Sequence, residues 1–153
     1  MILKLGLGWY LYNLLEYCFH KVGHYPHRYN YIYRLHKDHH INYPANDLHS
    51  QIYRGRFEGV IAFSLPIMIV AILLYSFLDQ ESFKIISIEL IGLTVISDTL
   101  HTQIHTTNSV LERFEWFRKN KRLHYIHHKK LNKNFSFAGL SHQPDKLLGT
   151  FTD

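Results

Sequence analysis

Residues 60–78 read VIAFSLPIMIVAILLYSFL, a run of nineteen residues without a charged side chain. An apolar run of this length is typical of a helix that spans a membrane. Pro66 lies inside the run and is tolerated in lipid, where neighbouring groups satisfy the carbonyl that a proline leaves free. This stretch therefore predicts a membrane-spanning helix.

Two other apolar stretches accompany it. Residues 83–100 follow a short polar turn at 79–82, and three charged residues interrupt them, so we expect a helical hairpin with the first run. Residues 2–19 have a marginal spanning length of about 18 residues. A cleaved signal peptide is disfavoured there, because no small-residue cleavage site follows. The prediction is one domain over 1–153, with spans at about 2–19, 60–78 and 83–100.

The positive charges predict the orientation of the hairpin. The formal net charge is +5, and 6 of the 17 Lys and Arg residues lie in 20–59 and 9 in 101–153. A hairpin places both of these segments on one face of the membrane, and an excess of Lys and Arg marks the cytoplasmic face. Nucleic-acid binding is disfavoured, because membrane-length blocks separate the basic residues. Cys18 is the only cysteine, which excludes an intramolecular disulfide and a Cys-based zinc site.

Histidine is the unusual feature of the composition, with 13 in 153 residues. Ten of them form the order HxxxH, HxxHH, hairpin, HxxxH, HxxHH. Residues at i, i+3 and i+4 lie on one face of a helix, so each motif is expected to direct its imidazoles to one side. Gly23 is expected to weaken or bend the helix end at the first motif. The ten are His20, His24, His36, His39, His40, His101, His105, His124, His127 and His128.

A metal centre explains this pattern better than bare structure does. Clustered imidazoles repel one another when protonated and leave polar nitrogens without partners when neutral, and a metal removes both problems. Imidazole suits Zn, Fe, Cu or Ni, and ten donors exceed the ligands of a single ion, so we expect two metal ions of unspecified element. Side chains considered as partners that orient the imidazoles are Asn132, Asn134, His142 and Asp38, with Asp98 and Glu112 as further alternatives; one of the three carboxylates could instead be an extra metal ligand. The other three histidines, His27, His49 and His142, fall outside the pattern, and of these His142 is the one expected to line the site.

These motifs resemble those of the fatty acid hydroxylase/sterol desaturase superfamily, from about Glu16 to Phe151. Further similarity lies in HHKKLNKNF at 127–135, which is similar to the HHxxxNxNFG stretch of sterol C-5 desaturase-like members. DKLLGT at 145–150 resembles their WDxxxGT element. Ser136 replaces the usual Gly, and Pro144 stands where Trp is common, so the substrate does not follow from the resemblance.

The resemblance implies an all-α, multi-pass membrane bundle under a cytosolic histidine-rich helical cap. It implies a di-iron oxidase that uses O2 to hydroxylate or desaturate a C–H bond of a fatty acyl, sterol or carotenoid lipid. It also implies that electrons come from a separate ferredoxin or cytochrome b5-like donor, and the absence of a Gly-rich dinucleotide motif is consistent with an external donor. The protein would be an integral membrane protein with its histidines on the cytoplasmic side.

Two other classes of function remain open. One is a zinc-dependent membrane hydrolase, although such sites use three protein ligands and an open position, far fewer than ten. The other is a non-catalytic membrane protein that binds metal for transport or storage. Transporters place ionisable groups near the middle of the membrane, whereas these histidines lie beyond the ends of the predicted spans.

Overall fold

The computed structural model describes residues 2–54, 58–136 and 140–153, and its side chains over 6–54, 64–136 and 140–153. Within these ranges the secondary structure is helical, apart from an isolated bridge between Ser50 and Thr106. The predicted all-α fold is confirmed for this part of the chain. The elements are α1 (Ile2–Gly23), α2 (Tyr31–Asn42), α3 (Glu58–Phe77), α4 (Gln80–His105), a 3-10 turn (Val110–Arg113), α5 (Glu115–Lys129) and α6 (Gln143–Leu147).

Side-chain caps fix where two of these helices begin. Asn30 precedes α2, and its side-chain oxygen accepts a hydrogen bond from the backbone N–H of Tyr33 at 3.1 Å. Asp79 precedes α4 and accepts in the same way from Ser82 N–H at 2.9 Å. Such caps satisfy backbone donors that have no partner inside the helix. The predicted turn at 79–82 is therefore too long, because Asp79 starts α4 at Gln80.

The three predicted spans coincide with α1, α3 and α4, although the side chains of residues 2–5 and 60–63 lie outside the described part. Among the described residues, no helix reaches the length and the apolarity that a membrane crossing requires. The multi-pass arrangement consequently stays a prediction. The helix of the third predicted span, α4, continues without a break through both histidines of its HxxxH motif, as the helical spacing of that motif predicts.

The helices α1 and α4 form the centre of the bundle. Gly8 of α1 lies against Glu89 of α4, and Glu16 is hydrogen-bonded by Ser97, so the two helices run in the same direction. Their HxxxH motifs consequently stand at the same end of the bundle. Helix α2 packs on α1 and α3, α3 packs on α4, and α5 and α6 contact α4 and α1 respectively. The buried core between α1 and α4 consists of Tyr12, Ile86, Leu90 and Leu93.

Candidate metal centre

The structure gathers nine of the ten predicted histidines into two groups whose donor nitrogens all lie within 4.8 Å of one another. Group 1 consists of His20, His24, His36, His40 and His127, and group 2 of His39, His105, His124 and His128. Both groups are made of histidine alone. The groups adjoin, since the ring centroids of His40 and His128 are 4.2 Å apart.

His36 is the centre of group 1. Its Nε2 lies 3.0 Å from Nε2 of His20, 2.8 Å from that of His24 and 2.9 Å from that of His40. His127 reaches the group from α5, with its Nε2 3.1 Å from that of His24. Five imidazoles thus present the same ring nitrogen, Nε2, to one point. They come from α1, from the residue that follows α1, from α2 and from α5.

His124 and His128 are the centre of group 2, and their Nε2 atoms are 3.0 Å apart. Nε2 of His105 lies 2.9 Å from that of His124, and Nε2 of His39 lies 3.3 Å from that of His128. His101 is the tenth predicted ligand and does not share the 4.8 Å set. Its ring is nevertheless buried against this group, with centroids 4.6 Å from His39 and 4.9 Å from both His105 and His124.

The HxxHH motifs do not each serve a single group, which corrects the prediction that their three imidazoles converge. In α2, His36 and His40 belong to group 1 whereas His39 belongs to group 2. In α5 the opposite holds, because His124 and His128 belong to group 2 and His127 to group 1. The i and i+4 side chains share a face of the helix, and the intervening i+3 side chain is rotated far enough to face the neighbouring group.

Backbone carbonyls determine which nitrogen of four imidazoles faces the centre. Four Nδ1–H groups donate to backbone carbonyl oxygens at 2.5 to 2.8 Å. The pairs are His20 with Phe135, His127 with Lys133, His105 with Leu48, and His128 with Tyr43. A donating Nδ1 leaves the lone pair on Nε2, which is the atom that points into the groups. Metal-binding histidines in proteins are held in their tautomer in this manner.

Burial keeps these imidazoles neutral at pH 7. It lowers the pKa of all nine grouped histidines, and the neighbouring imidazoles of each group lower most of them further. The pKa of His24 and of His105 falls to about 3, and that of His127 to about 4. Neutral imidazoles have the free lone pair that a metal ion needs.

The donor set fits metal ions. Several lone-pair nitrogens that face one another at 2.8 to 3.3 Å repel unless a cation lies between them. Metal–imidazole bonds are about 2.0–2.1 Å long, so ligands at right angles around one ion lie roughly 3.0 Å apart. The spacing of the Nε2 atoms matches that value. These two groups can therefore hold one metal ion each.

The four side chains predicted to orient imidazoles are placed as follows. Asp38 is exposed on α2, and Asn132 lines an open cavity beside His24. Asn134 bonds the backbone of Leu123 and Thr152. Asn134 lies between Lys133 and Phe135, whose carbonyls bind His127 and His20. It therefore fixes the segment that supplies these two carbonyls. His142 lies 3.1 Å from the side-chain oxygen of Asn120. Glu112, a further alternative, forms an ion pair with Lys121 at 2.6 Å.

Asp145 is a supporting residue that the sequence pattern did not mark as part of the site. It is fully buried, and its carboxylate accepts from the N–H groups of Phe135 and Ser136 at 2.8 Å and from the Thr150 hydroxyl at 2.7 Å. Burial acts to raise the pKa of this carboxyl, but the hydrogen bonds outweigh it and lower the pKa to about 2. Asp145 thereby anchors the backbone whose carbonyl binds His20.

A helical bundle with two adjoining all-histidine groups defines the class of proteins whose histidine clusters could hold metal ions. Comparison with known families gives the narrower assignment. The fatty acid hydroxylase family model matches residues 5–150, nearly the whole chain, and the protein belongs to this family. No curated protein and no solved structure matches the chain significantly.

Proposed function

We propose that the protein is a membrane-bound di-iron oxidase that hydroxylates or desaturates a C–H bond of a lipid with O2 and an external electron donor. The observation that carries the proposal is the pair of adjoining histidine groups in a chain of the fatty acid hydroxylase family. Two iron ions, when bound, supply the activation of O2. The chain supplies neutral Nε2 ligands, holds their tautomers and keeps the groups largely buried.

The number of donors supports iron as the metal. Zinc sites are almost always four-coordinate, and a catalytic zinc leaves one position open beyond three protein ligands. Group 1 offers five imidazoles, and group 2 offers four with the ring of His101 beside them. The five nitrogen donors of group 1 suit an ion that accepts five or six ligands better than they suit zinc. They argue equally against the zinc hydrolase considered from the sequence.

Exposed apolar side chains support a location in the membrane. Large hydrophobic residues are exposed along α1, α3 and α4, and soluble monomers rarely expose contiguous apolar patches of this kind. With the basic flanking segments, they favour an integral membrane protein whose histidines face the cytoplasm. The exposed residues include Leu7, Tyr10, Leu14, Met68, Ile69, Ile72, Leu73, Ile88, Ile91 and Val95.

An open cavity gives access to the centre. Its volume is about 570 Å³, and its lining includes His24 of group 1 together with Lys21, Tyr25 and Phe135. A reactant that enters here meets an imidazole of group 1 directly. The mixed apolar and basic lining is compatible with an amphiphilic lipid. The electron donor is proposed to be ferredoxin-like or cytochrome b5-like.

The test combines metal analysis with lipid analysis. The purified full chain should contain two iron ions and consume O2 only when a reductant and lipid are present. Lipids of cells that produce the protein should gain one oxygen atom for hydroxylation, or lose two hydrogen atoms for desaturation. A zinc-only protein that cleaves esters without O2 would instead support a hydrolase.

A pair of variants makes this test specific. His36→Gln removes the central imidazole of group 1 and should lower the metal content of the purified protein and abolish lipid oxidation. His27→Gln is the matched control, since His27 is exposed and lies outside both groups. It should retain wild-type metal content and activity. Equal activity of the two variants would contradict the proposed role of group 1.

A further inference from the structure

An apolar cavity between α1 and α6 has no part in the proposed function so far. Its volume is about 400 Å³, and its lining includes Leu7, Leu11 and Leu14 of α1 together with Leu147 and Leu148. The other described lining residues are aromatic, proline or uncharged polar side chains. This volume lies within the range of about 300–1,000 Å³ that is usual for small-molecule sites. We call it the tail cavity.

The tail cavity lies on the same face of α1 as the open cavity beside group 1, which we call the head cavity. The lining of the head cavity includes Lys21 and His24. Residues seven apart are separated by nearly two complete turns of a helix, so Leu7, Leu14 and Lys21 project in nearly the same direction. Cys18 lies on this face between the two cavities and is exposed. This face of α1 therefore leads from group 1 to the tail cavity.

Lys21 gives the head cavity a positive charge. Its Nζ donates to the Tyr17 hydroxyl at 3.4 Å and lies 5.5 Å and 6.0 Å from the ring centroids of Tyr17 and Phe135. A hydroxyl and two rings bring no negative charge to the ammonium group. His24 is neutral, because burial lowers its pKa to about 3. Among the described lining residues, Lys21 is thus the cation that a bound anion meets.

The separation of the two cavities matches the length of a lipid chain. Leu11 and Lys21 are ten residues apart, which is about 15 Å along a helix. One acyl chain spans half of the hydrocarbon core of a bilayer, also about 15 Å. A chain whose carboxylate lies at Lys21 therefore ends inside the tail cavity.

We infer that the two cavities form one binding site for a long-chain fatty acid. Its carboxylate pairs with Lys21 in the head cavity, and its chain follows α1 past Cys18 into the tail cavity. The inference names the substrate class of the proposed oxidase and rests on that proposed function. Because His24 lines the head cavity, the carbons near the carboxylate lie closest to group 1. Oxidation is therefore expected in the carboxyl half of the chain.

The site is tested by binding in the absence of O2 and reductant, so that no turnover occurs. The full chain would be placed in nanodiscs of phosphatidylcholine, whose headgroup has no net charge. Displacement of a fluorescent polyene fatty acid would be measured with three ligands. Palmitic acid has both the charge and the long chain, hexadecanol has the chain alone, and octanoic acid has the charge with a chain too short for the tail cavity.

Two variants separate the cavities. Lys21→Met removes the charge of the head cavity, and Leu14→Trp fills the tail cavity. Their matched controls are Lys119→Met on α5 and Ile88→Trp on α4, since both of these residues are exposed and line neither cavity. Each control should bind all three ligands as the wild type does.

Lys21→Met should weaken palmitic acid and octanoic acid by about 2–5-fold, the effect of losing one exposed ion pair, and leave hexadecanol unchanged. Leu14→Trp should weaken palmitic acid and hexadecanol by about 10-fold or more, because the indole overfills the tail cavity. It should leave octanoic acid unchanged, which also shows that this variant is folded. The absence of displacement by palmitic acid, or an equal loss of palmitic acid and hexadecanol in Lys21→Met, would overturn the inference.

A fatty acid with a photoreactive diazirine at its methyl end locates the chain directly. It should label peptides that contain Leu14 or Leu147. Another apolar cavity, of about 360 Å³, lies between α3 and α4, and its described lining has no charged side chain. Labelling confined to α3 and α4 would place the chain there and refute the tail cavity.

The position of the oxidised carbon, determined by mass spectrometry, tests the orientation of the chain. Oxidation confined to the methyl half would contradict it. Failure of the proposed function gives a different result. A chain that binds palmitic acid with this pattern but oxidises no lipid would disprove the oxidase and leave the binding site intact. A chain that oxidises lipids but does not bind palmitic acid would disprove the site alone.

Discussion

At the scale of single residues, Asp145 is the side chain on which the support of the centre most depends. Its carboxylate binds two backbone N–H groups and the Thr150 hydroxyl, and it holds the segment whose Phe135 carbonyl receives His20. A carboxylate among such donors is difficult to replace, because each donor would otherwise be buried without an acceptor.

Asp145→Asn should therefore destabilise the protein by about 2 kcal/mol, since it places an amide N–H₂ against a backbone N–H. The measurement is the free energy of unfolding in urea. Asp153→Asn is the matched control, because Asp153 forms an exposed ion pair with Arg122 at 3.1 Å. Exposed pairs contribute only about 0–1 kcal/mol. Equal effects of both variants would contradict the anchoring role.

At the scale of secondary-structure elements, the carboxyl end of α1 depends on Gly23. A Cβ atom at this position would lie 3.1 Å from Cγ and 3.2 Å from Cβ of His36. These distances are tighter than ordinary contacts, so the glycine permits the close approach of α2 that brings His36 into group 1. The sequence indicated only that Gly23 would weaken the helix end, because the approach of a distant helix cannot be inferred from local spacing.

Gly23→Ala should displace His36 and lower the metal content of the purified protein, although alanine is the better helix former. Gly6→Ala serves as control on the same helix, since a Cβ there would meet nothing within 4 Å. That variant should bind metal as the wild type does and gain up to about 1 kcal/mol of stability. Metal content by mass spectrometry distinguishes the two, and full loading of Gly23→Ala would refute the steric argument.

The elements also show what sequence could and could not predict. Apolar runs and HxxxH spacing predicted α1, α3 and α4, because both depend on local periodicity. The assignment of His39 and His127 to opposite groups was not predicted, since it depends on how α2 and α5 face each other. The carbonyls of Tyr43 and Leu48 could not be identified either. Every residue has a carbonyl, and only the tertiary fold selects which of them meets a ring nitrogen.

At the scale of the whole molecule, the buried histidines determine how stability depends on pH. Their folded-state pKa values lie below the value of about 6.5 for an unfolded histidine, with His127 at about 4 and His24 and His105 at about 3. The unfolded chain therefore binds more protons than the folded chain between these values. By linkage, stability is greatest above pH 6.5 and decreases as the pH falls towards 4.

The metal-free protein should thus lose stability below about pH 6.5, by up to about 1.4 kcal/mol per pH unit for each histidine that titrates only on unfolding. Asp145 does not contribute in this range, because its depressed pKa of about 2 affects stability only below about pH 4. Thermal unfolding of the chelator-treated protein from pH 8 to pH 5 measures the effect. A constant midpoint over that range would show that the histidines are not buried together.

His39 and His127 each belong to the group opposite to that of the other histidines in their HxxHH motif. This arrangement has a consequence for the order in which the two metal ions bind. Helices α2 and α5 each carry ligands of both groups, so an ion in one group fixes two of the helices that the other group also needs. The conformational entropy lost on ordering these helices is then lost only once, and the second ion binds to a scaffold that is already arranged. Positive cooperativity follows, and partly loaded molecules should be scarce. The two ions would enter and leave this protein as a pair.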